Sequence, residues 1–519
     1  MSGIGFKTIP ANVKVPFSYF EVGAGQGGGV DQQNSLIVAN TITVQPALPV
    51  WVPTVAQAIA LFGAGSLAAA MVEEYLLADP VGALYVLPMA DAGGGVAATG
   101  KLSFTGPATA AGSLALYIAG RVVNVAVTAA MTAPQLATAV AAAINASISS
   151  NGVLLPVSAA VNGVNNFEVD LTARNKGTQG NAIDLRLNYY GSLSGEAVPA
   201  GIAVAITAMA NGATDPDITG LDAILGDTNY DFIAVPWATA TQLNALQTLM
   251  SDNGGRWAFN RQVYGHVFAA KMDADATGAT NIAFGLTRND RHLTCVSYEP
   301  SPPAPWLVAA GFMGAAAQSL RADPARPLQT LSIPGLLAPP RNARYTWATQ
   351  NTLLSSGMAL MQYNADGTCS ILRSVTTYQK NAANVPDASF LDAETLYSIM
   401  KFVRGMKAAW GRAFPRAKLA DDGTNFGAGT TFKKGRPDQP ITTPKGVKAV
   451  AIAQYMVFIS EGLCENVDLF ADGLIVQRNA NDASRVDVLL DPIFVSGLRV
   501  LAAMVEFYLS DAAAQAAQG

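Results

Sequence analysis

An alternating strand pattern begins close to the amino terminus of the chain. The side chains of one face are Val13, Val15, Phe17 and Tyr19, and those of the other face are Lys14, Pro16 and Ser18. This is the period-two pattern of a strand with one buried side. Pro16 cannot donate a hydrogen bond to a neighbouring strand, so we expect an edge or a bulge here. Glycines follow instead of a hairpin partner, which favours pairing with a sheet elsewhere, including one in a second molecule.

The middle of the chain has a different pattern. Continuous apolar runs at residues 230–236, 263–270 and 292–298 alternate with helical patterns at residues 241–250 and 305–320. Unbroken apolar strands that alternate with helices are typical of a parallel sheet covered on both faces. This part of the sequence therefore predicts an α/β core.

Two segments of small residues, 91–100 and 208–216, bracket a stretch of another character. Between them lie short runs rich in Val, Leu, Ile and Tyr, such as 113–118 and 121–127, and one helical pattern at 133–146. The pattern predicts an inserted domain that is mainly β or α+β. Surface loops whose ends are close together accept such insertions.

The carboxy-terminal part, from residue 389, has the pattern of an α+β unit. One apolar helix face carries Leu396, Ile399, Val403, Met406 and Trp410. A loop-rich segment at 418–448 follows, and then the pattern predicts a helix at 450–462, an alternating strand at 486–490 and a last strand at 500–509. We expect the small-residue tail, 510–519, to be mobile.

The composition is poor in charge. Only 13% of the 519 residues are charged, against about 25% in typical soluble domains, and half are hydrophobic. Such a chain has large cores or covers much of its surface with partners. Residues 1–10 lack the pattern of a secretory signal, so we expect synthesis in a reducing cytoplasm. The weakly hydrophobic residues 55–72 predict two short buried helices and no membrane span.

Candidate cofactor and metal motifs are incomplete. GAGQGG at residues 23–28 fits GxGxxG, but a strand-like sequence follows where the motif needs a helix. Residues 95–103 have Leu102 where GxxxxGK[ST] needs a hydroxyl. Four clustered carboxylates lack the spacing of a calcium loop; they are Asp215, Asp217, Asp222 and Asp227. The chain has three cysteines, Cys295, Cys369 and Cys464, and only two histidines, which predicts neither zinc binding nor disulfides. We expect no cofactor and no metal.

Positive charge is concentrated between residues 400 and 450. Eleven basic residues accompany three acidic ones there, a net charge of +8, so the rest of the chain carries −13 because the whole carries −5. Lys401, Arg404 and Arg412 fall on one side of the predicted helix, away from its apolar face. A solvated helix face and a surface for an acidic partner both fit this pattern. Nucleic acid fits poorly, because the whole chain is acidic and no nucleic-acid-binding fold is predicted.

Several segments resemble the tail sheath proteins of Mu-like contractile phages. They are residues 9–25 (IPANVKVPFSYFEVGAG), 60–71 (ALFGAGSLAAAM), 155–190, 230–237 and 485–509. The resemblance is colinear over nearly the whole length. It implies a subtilisin-like core and a structural subunit that polymerises helically around a tail tube and contracts to drive that tube through the host envelope.

The resemblance also implies roles for particular residues. Two inter-subunit arms would each add a strand to a small sheet in a neighbour's carboxy-terminal domain, and a basic helix would face the tube. The arm residues are Val13, Val15, Phe17, Tyr19, Val500, Val505, Phe507 and Leu509, and the helix residues are Lys401, Arg404, Lys407 and Arg412. The implied organisation is an arm at 1–22, a discontinuous core at 23–92 and 213–388, an inserted domain at 93–212, a carboxy-terminal domain at 389–509 and a flexible tail at 510–519.

The expected partners are further copies of the chain, the tail tube protein, and baseplate and tail terminator proteins, without nucleic acid or direct membrane insertion. The expected location is the tail sheath of a virion assembled in the host cytoplasm, and the sheath of a phage-derived contractile injection particle is an alternative.

Two other classes remain open from the sequence. A subtilisin-like hydrolase would use Ser356, but His266 and His292 lie within β-like runs, where a base cannot approach a serine at a sheet edge. Fold alone does not assign a function. A surface-layer protein or adhesin fits the alanine-rich β segments but lacks an export signal.

Overall fold

The computed structural model describes residues 33–423, 441–505 and 507, and its first elements lie in residues 35–89. They are β1 (Ser35–Asn40), β2 (Val50–Trp51), α1 (Val55–Phe62), α2 (Leu67–Ala78) and β3 (Leu84–Met89). Hydroxyl caps begin both helices, since Thr54 accepts a hydrogen bond from the Gln57 amide and Ser66 accepts one from the Ala69 amide. The prediction of two short helices in residues 55–72 is confirmed.

Residues 97–210 form two antiparallel sheets and a helix. The elements are β4 (Ala97–Thr105), β5 (Gly112–Ile118), β6 (Arg121–Val127), α3 (Ala133–Ala146), β7 (Val157–Val161), β8 (Glu168–Lys176), β9 (Leu185–Leu187) and β10 (Ala203–Ala210), with short 3-10 helices at Thr178–Ala182 and Ser192–Ser194. One sheet has the order β10-β4-β8-β7 and the other β6-β5-β9. Helix α3 buries Leu136, Val140 and Ile144 against them. Its predicted bounds agree with the structure.

Residues 221–373 alternate helices and strands. They contain α4 (Leu221–Leu225), β11 (Phe232–Ala234), α5 (Ala240–Met250), β12 (His266–Met272), α6 (Ala279–Leu286), β13 (Leu293–Tyr298), α7 (Pro305–Ala322), β14 (Ser332–Ile333), α8 (Trp347–Ser355), β15 (Ala359–Tyr363) and β16 (Cys369–Arg373), with a 3-10 helix at Arg341–Ala343. The strands and helices predicted from the apolar runs are present, with ends that differ by a few residues.

One mixed sheet of nine strands organises these elements, in the order β14-β16-β15-β13-β12-β11-β1-β3-β2. The six strands from β15 to β3 are parallel, while β2, β14 and β16 pair antiparallel at the edges. Alternate residues pack into separate cores, with Ile37 and Phe268 on one face and Leu36 and Val267 on the other. Both faces are therefore covered, which explains the unbroken apolar runs. The predicted parallel sheet is correct for the six central strands.

The carboxy-terminal elements surround a third core. They are α9 (Ala393–Ala413), β17 (Lys418–Leu419), β18 (Ile441–Thr442), α10 (Pro444–Ser460), α11 (Val467–Gly473), β19 (Ile475–Arg478) and β20 (Val486–Leu489). Phe402, Met406, Tyr455, Phe458 and Phe470 fill this core, and the rings of Tyr455 and Phe470 stack with centroids 3.8 Å apart. The predicted strand at 500–509 is not seen in this chain: its described residues, 500–505 and 507, belong to no strand.

Candidate assembly surfaces

After the carboxy-terminal core, contacts with the rest of the chain hold the polypeptide in place as far as Arg499. Phe494 forms a β-bridge with Cys464, and the Val495 amide donates to the Leu463 carbonyl at 3.1 Å. Arg499 then donates to the buried carboxylate of Glu394 at 2.9 Å. A charge-assisted hydrogen bond to a buried carboxylate holds this point of the chain more firmly than a neutral one.

Beyond Arg499 the apolar side chains face solvent. Between 77% and 84% of the surface of each is exposed for Val500, Leu501, Met504, Val505 and Phe507. Leu509, which we expected on the same strand, lies outside the described residues. A run of exposed large apolar residues is typical of a surface that a partner covers. The failure of the predicted strand therefore has a physical reason: no strand in the described part of the chain pairs with residues 500–505 and 507.

The described carboxy-terminal residues include a small sheet of two strands. β19 and β20 pair antiparallel from Ile475↔Leu489 to Arg478↔Val486, and no third strand joins them in the described part of the chain. Ile475 and Leu489 are more than half exposed. Two-stranded sheets are marginal by themselves, and unpaired edges accept strands from other chains.

The described chain begins at a second fastened point. The predicted amino-terminal arm residues Val13, Val15, Phe17 and Tyr19 lie outside the described residues. At Gln33, the backbone carbonyl accepts a hydrogen bond from Arg321 Nε at 3.0 Å. The same guanidinium donates to Ser35 Oγ at 2.7 Å and to the Tyr75 hydroxyl at 3.0 Å, and it forms an ion pair with buried Asp79.

The basic helix of the sequence is α9, and one of its charges turns inward. Arg404 makes two hydrogen bonds of 2.7 Å to Asp231, whose side chain is fully buried. The expectation that Arg404 lies on the exposed basic face is wrong for this chain, because its guanidinium neutralises a core carboxylate. Lys401 pairs with Glu461 at 2.8 Å, Lys407 donates to Gln262 Oε1 at 3.1 Å, and Arg412 is exposed.

Helix α9 is shared between the large sheet and the carboxy-terminal core. In its first half, the Tyr397 ring stacks on Phe232 with centroids 4.8 Å apart, and the Tyr397 hydroxyl donates to the Asp231 carbonyl at 3.0 Å. Further along, Phe402 and Met406 enter the core formed with α10. The helix thus ties β11 to the carboxy-terminal domain with both ionic and apolar contacts.

The candidate residues of a hydrolase are engaged in the fold. Ser356 is buried at the end of α8, where its hydroxyl donates to the Thr352 carbonyl of the same helix at 2.8 Å. His266 is fully buried and bonds Thr294 Oγ1 at 2.8 Å, and burial together with the nearby His292 lowers its pKa to about 3. His292 lies 3.2 Å from Asp290. These contacts agree with the interpretation of both histidines as structural.

The other candidate motifs also have structural partners. Lys101, from the partial phosphate-loop match, lies within β4 and pairs with Glu168 at 2.9 Å, while GAGQGG lies outside the described residues. Asp215 accepts two hydrogen bonds from Thr178 at 2.7 Å, Asp217 accepts from Thr219, and Asp222 and Asp227 pair with Arg261.

Within the described ranges, no group of three or more His, Cys, Asp or Glu side chains could hold a metal. The three cysteines are buried thiols. A search of those same ranges finds no helix long and apolar enough to cross a membrane.

Sequence reasoning missed the residues that fasten the two ends. The sequence analysis assigned no role to Arg499, and Glu394, Asp79 and Arg321 carry no motif. A usable signal exists for Arg499, because a lone arginine between Leu498 and Val500 needs a carboxylate if its neighbourhood is buried. Nothing in the sequence identifies which carboxylate this is.

Comparison with known proteins decides the family. Residues 211–377 match the model of the phage tail sheath protein central domain. The Mu-like prophage FluMu tail sheath protein of Haemophilus influenzae is 34% identical over 512 residues, which cover 98% of this chain and all of that protein. The chain belongs to the Mu-like phage tail sheath family. It is therefore a structural subunit of a contractile tail sheath, as the resemblance in the sequence implied.

Solved structures with distant likeness to this tail sheath subunit include the sheath tail proteins of Desulfitobacterium hafniense and Listeria innocua, both 12% identical with a TM-score of 0.44. They cover 92% and 89% of this chain, and the matches span 100% and 95% of those chains. A chain of the anti-feeding prophage baseplate is 10% identical with a TM-score of 0.46, over 96% of this chain and 99% of that one. The family assignment rests on the sequence relative.

Proposed function

We propose that many copies of this chain polymerise helically around a tail tube and contract to drive the tube through a host envelope. The observation that carries this proposal is that an exposed apolar segment and a sheet with open edges occur together in the carboxy-terminal part of the chain. Among the described residues, the apolar segment that begins at Val500 pairs with no strand, and the two edges of the β19–β20 sheet pair with no further strand. Each copy could supply what the next copy lacks, which is the condition for an open-ended polymer.

Strand exchange also suits a sheath that changes length. Main-chain hydrogen bonds between exchanged strands move with the arms, so subunits stay linked while their side-chain contacts are remade. We infer that residues 13–19 form the amino-terminal arm and that the segment with Val500, Val505, Phe507 and Leu509 forms the carboxy-terminal one. The energy for contraction would be stored in two alternative packings of the polymer, which needs no nucleotide.

The arrangement of the sheets supports the division into domains that we propose. The nine-stranded sheet takes its strands from residues 35–89 and 332–373 together with 232–298, whereas residues 97–210 form sheets of their own. We propose a discontinuous core at 23–92 and 213–388 with the subtilisin-like strand arrangement of the family. The inserted domain at 93–212 would then face outward, where it does not obstruct the tube.

We propose that the tube contacts the outer face of α9 and that baseplate and tail terminator proteins bind the ends of the polymer. Because Arg404 is held by Asp231, the charges available for an acidic tube are those of Lys401, Lys407 and Arg412. Charge reversal at Lys407 and Arg412 should weaken tube attachment without changing sheath formation. Unchanged co-sedimentation with the tube protein would contradict this part of the proposal.

Negative-stain electron microscopy of the purified full-length chain tests the main proposal. We expect hollow helical tubes or stacked rings, with or without the tube protein. A truncation that lacks residues 1–20 should give a folded chain that does not polymerise, because its amino-terminal arm is lost. Dispersed full-length monomers at high concentration in the presence of the tube protein would overturn the proposal, and normal tubes from the truncated chain would overturn the arm assignment.

A further inference from the structure

The start of the described chain at residue 33 and the carboxy-terminal segment at residue 498 both contact one short stretch of polypeptide. We call residues 321–329, which run from the last turn of α7 toward β14, the junction segment. Its first residue, Arg321, binds the Gln33 carbonyl and the Ser35 hydroxyl, where the described chain begins. Its last residue, Gln329, donates from Nε2 to the Leu498 carbonyl at 3.1 Å, where the carboxy-terminal segment leaves.

A buried carboxylate joins the junction segment to the carboxy-terminal exit. Glu394 Oε1 accepts the Leu328 amide at 2.9 Å and also accepts Arg499 Nη2 at 2.9 Å. Both side chains are largely buried, at 5% and 15% exposure. Loss of either partner would leave a buried charge, so the contact is far less dispensable than a surface ion pair.

Close packing reinforces the same contact. A Cβ added to Gly497 would lie 2.6 Å from Cγ of Pro327, which is closer than real side chains approach. The backbone at residue 497 thus lies directly against the junction segment, and only glycine allows that approach. One residue of α9, Ser398, bonds the Pro324 carbonyl at 3.3 Å and holds the segment from its other side.

At the beginning of the described chain, residues 33–35 are held by a polar cluster between α2, α7 and the first residue of β1. The Tyr75 hydroxyl donates to Asp79 and lies 2.8 Å from Ser35 Oγ, and Arg321 completes the cluster. The Arg321 guanidinium also lies over the Phe232 ring at 5.1 Å. The cluster is anchored in α2, α7 and β1, which belong to the main core.

We infer that the junction segment couples the roots of the two inter-subunit arms, so that tension on one arm reaches the other through residues 321–329. This inference rests on the proposed function, because it takes residues before 33 and after 499 to be the arms. A sheath whose subunits are linked by exchanged arms needs roots that resist pulling more strongly than the exchanged strands do. Ionic contacts to buried carboxylates at both roots meet that need.

Hydrogen exchange of the full-length unpolymerised chain tests the coupling. Arg499→Ala should speed exchange about tenfold at residues 493–499, because a hydrogen bond to a charged group contributes at least that factor. Coupling predicts faster exchange in residues 323–329 and at 33–35 as well. Arg485→Ala is the matched control, since Arg485 pairs with Asp487 on the exposed surface of the same domain. Faster exchange confined to residues 493–499 would overturn the inference.

A second variant covers the case in which Arg499→Ala does not fold. Glu394→Gln keeps an oxygen that can accept the Leu328 amide but loses the charge that holds Arg499, so it should reproduce the exchange pattern in a milder form. Because exchange is measured before polymerisation, its result is independent of whether the chain forms sheaths. Failure of the full-length chain to form tubes would count against the proposed function alone.

The contribution of these contacts to the strength of the sheath is tested on assembled sheaths. We expect Arg499→Ala and Gly497→Ala sheaths to dissociate at a lower urea concentration than wild-type sheaths, with the Arg485→Ala sheath unchanged. Equal dissociation midpoints for all four sheaths would overturn the proposed load path even if exchange shows the two roots to be coupled.

Discussion

The strand β1 and the segment after Arg499 are both apolar, but β1 is buried within the chain and the segment is exposed. All six residues of β1 are buried between parallel neighbours β3 and β11. Val500, Val505 and Phe507 are mostly exposed and pair with nothing in the described chain. The contrast shows that the hydrophobic pattern of a segment reports a need for burial but does not report which molecule satisfies it.

The largest effect is expected when the exposed segment loses its apolar character. Val500→Asp combined with Val505→Asp should abolish tube formation and leave the free energy of unfolding within about 0.5 kcal/mol of wild type, because both side chains are exposed in the single chain. Electron microscopy and urea unfolding measure the two quantities. Val44→Asp combined with Val164→Asp, at two exposed valines outside this segment, is the control. Tubes formed normally by the Val500 and Val505 variant would contradict the comparison.

A smaller effect, on the free energy of unfolding, is expected in the buried region around β1, where β11 contacts α9. Asp231→Ala removes the fully buried carboxylate that accepts two hydrogen bonds from Arg404, and breaking such a pair typically costs about 3–5 kcal/mol. The Asp231 backbone carbonyl, which binds Tyr397, stays in place. Urea unfolding measures the loss. Arg485→Ala, which breaks an exposed pair, should cost less than about 1 kcal/mol. Equal losses for the two variants would show that the buried pair does not stabilise the chain.

The smallest effect concerns a core group that is itself not satisfied. Glu74 in α2 is 7% exposed, its Oε1 has no hydrogen-bond partner among the described residues, and burial followed by the charge of Glu73 raises its pKa to about 8. The folded chain therefore binds this proton more tightly than the unfolded chain. Stability from this group is complete below the unfolded pKa of about 4.5 and is lost as the pH rises toward about 8.

Glu74→Gln removes this titration. Between pH 6 and pH 7 the wild type should lose about 1.4 kcal/mol more unfolding free energy than the variant does. Chemical unfolding at both pH values measures the difference. Glu73→Gln should weaken this pH dependence without removing it, because the charge of Glu73 is the lesser of the two causes that raise the pKa of Glu74. Parallel pH profiles for wild type and Glu74→Gln would show that Glu74 does not titrate in this range.

The local structure of this chain could be predicted well from its sequence. The bounds of α3 and the positions of α7 and β13 follow from the pattern of apolar residues, because α3 buries one face against neighbouring strands while β13 and most of α7 are buried. The sheet order could not be predicted, since β1 lies between β3 and β11, almost 200 residues further along. The contact of Asp231 with Arg404 joins residues 173 positions apart, and no local pattern marks it.

The assembly surface was predicted in part and for a related reason. The sequence predicted a last strand at 500–509, whereas the described residues of this segment are exposed and belong to no strand. Charge counting along α9 indicated a basic face, but it could not show that Arg404 would be drawn inward by a carboxylate on another element. A sequence pattern describes one element, whereas these outcomes depend on pairs.

The exposed side chains after Arg499 also have a thermal consequence. If polymerisation buries Val500, Leu501, Met504, Val505 and Phe507, it transfers apolar surface out of water, so its heat capacity change is negative and its driving force near room temperature is mainly entropic. Such an association weakens on cooling. The polymer should consequently form more readily in a warm cell than on ice, and a chilled preparation should contain more single subunits.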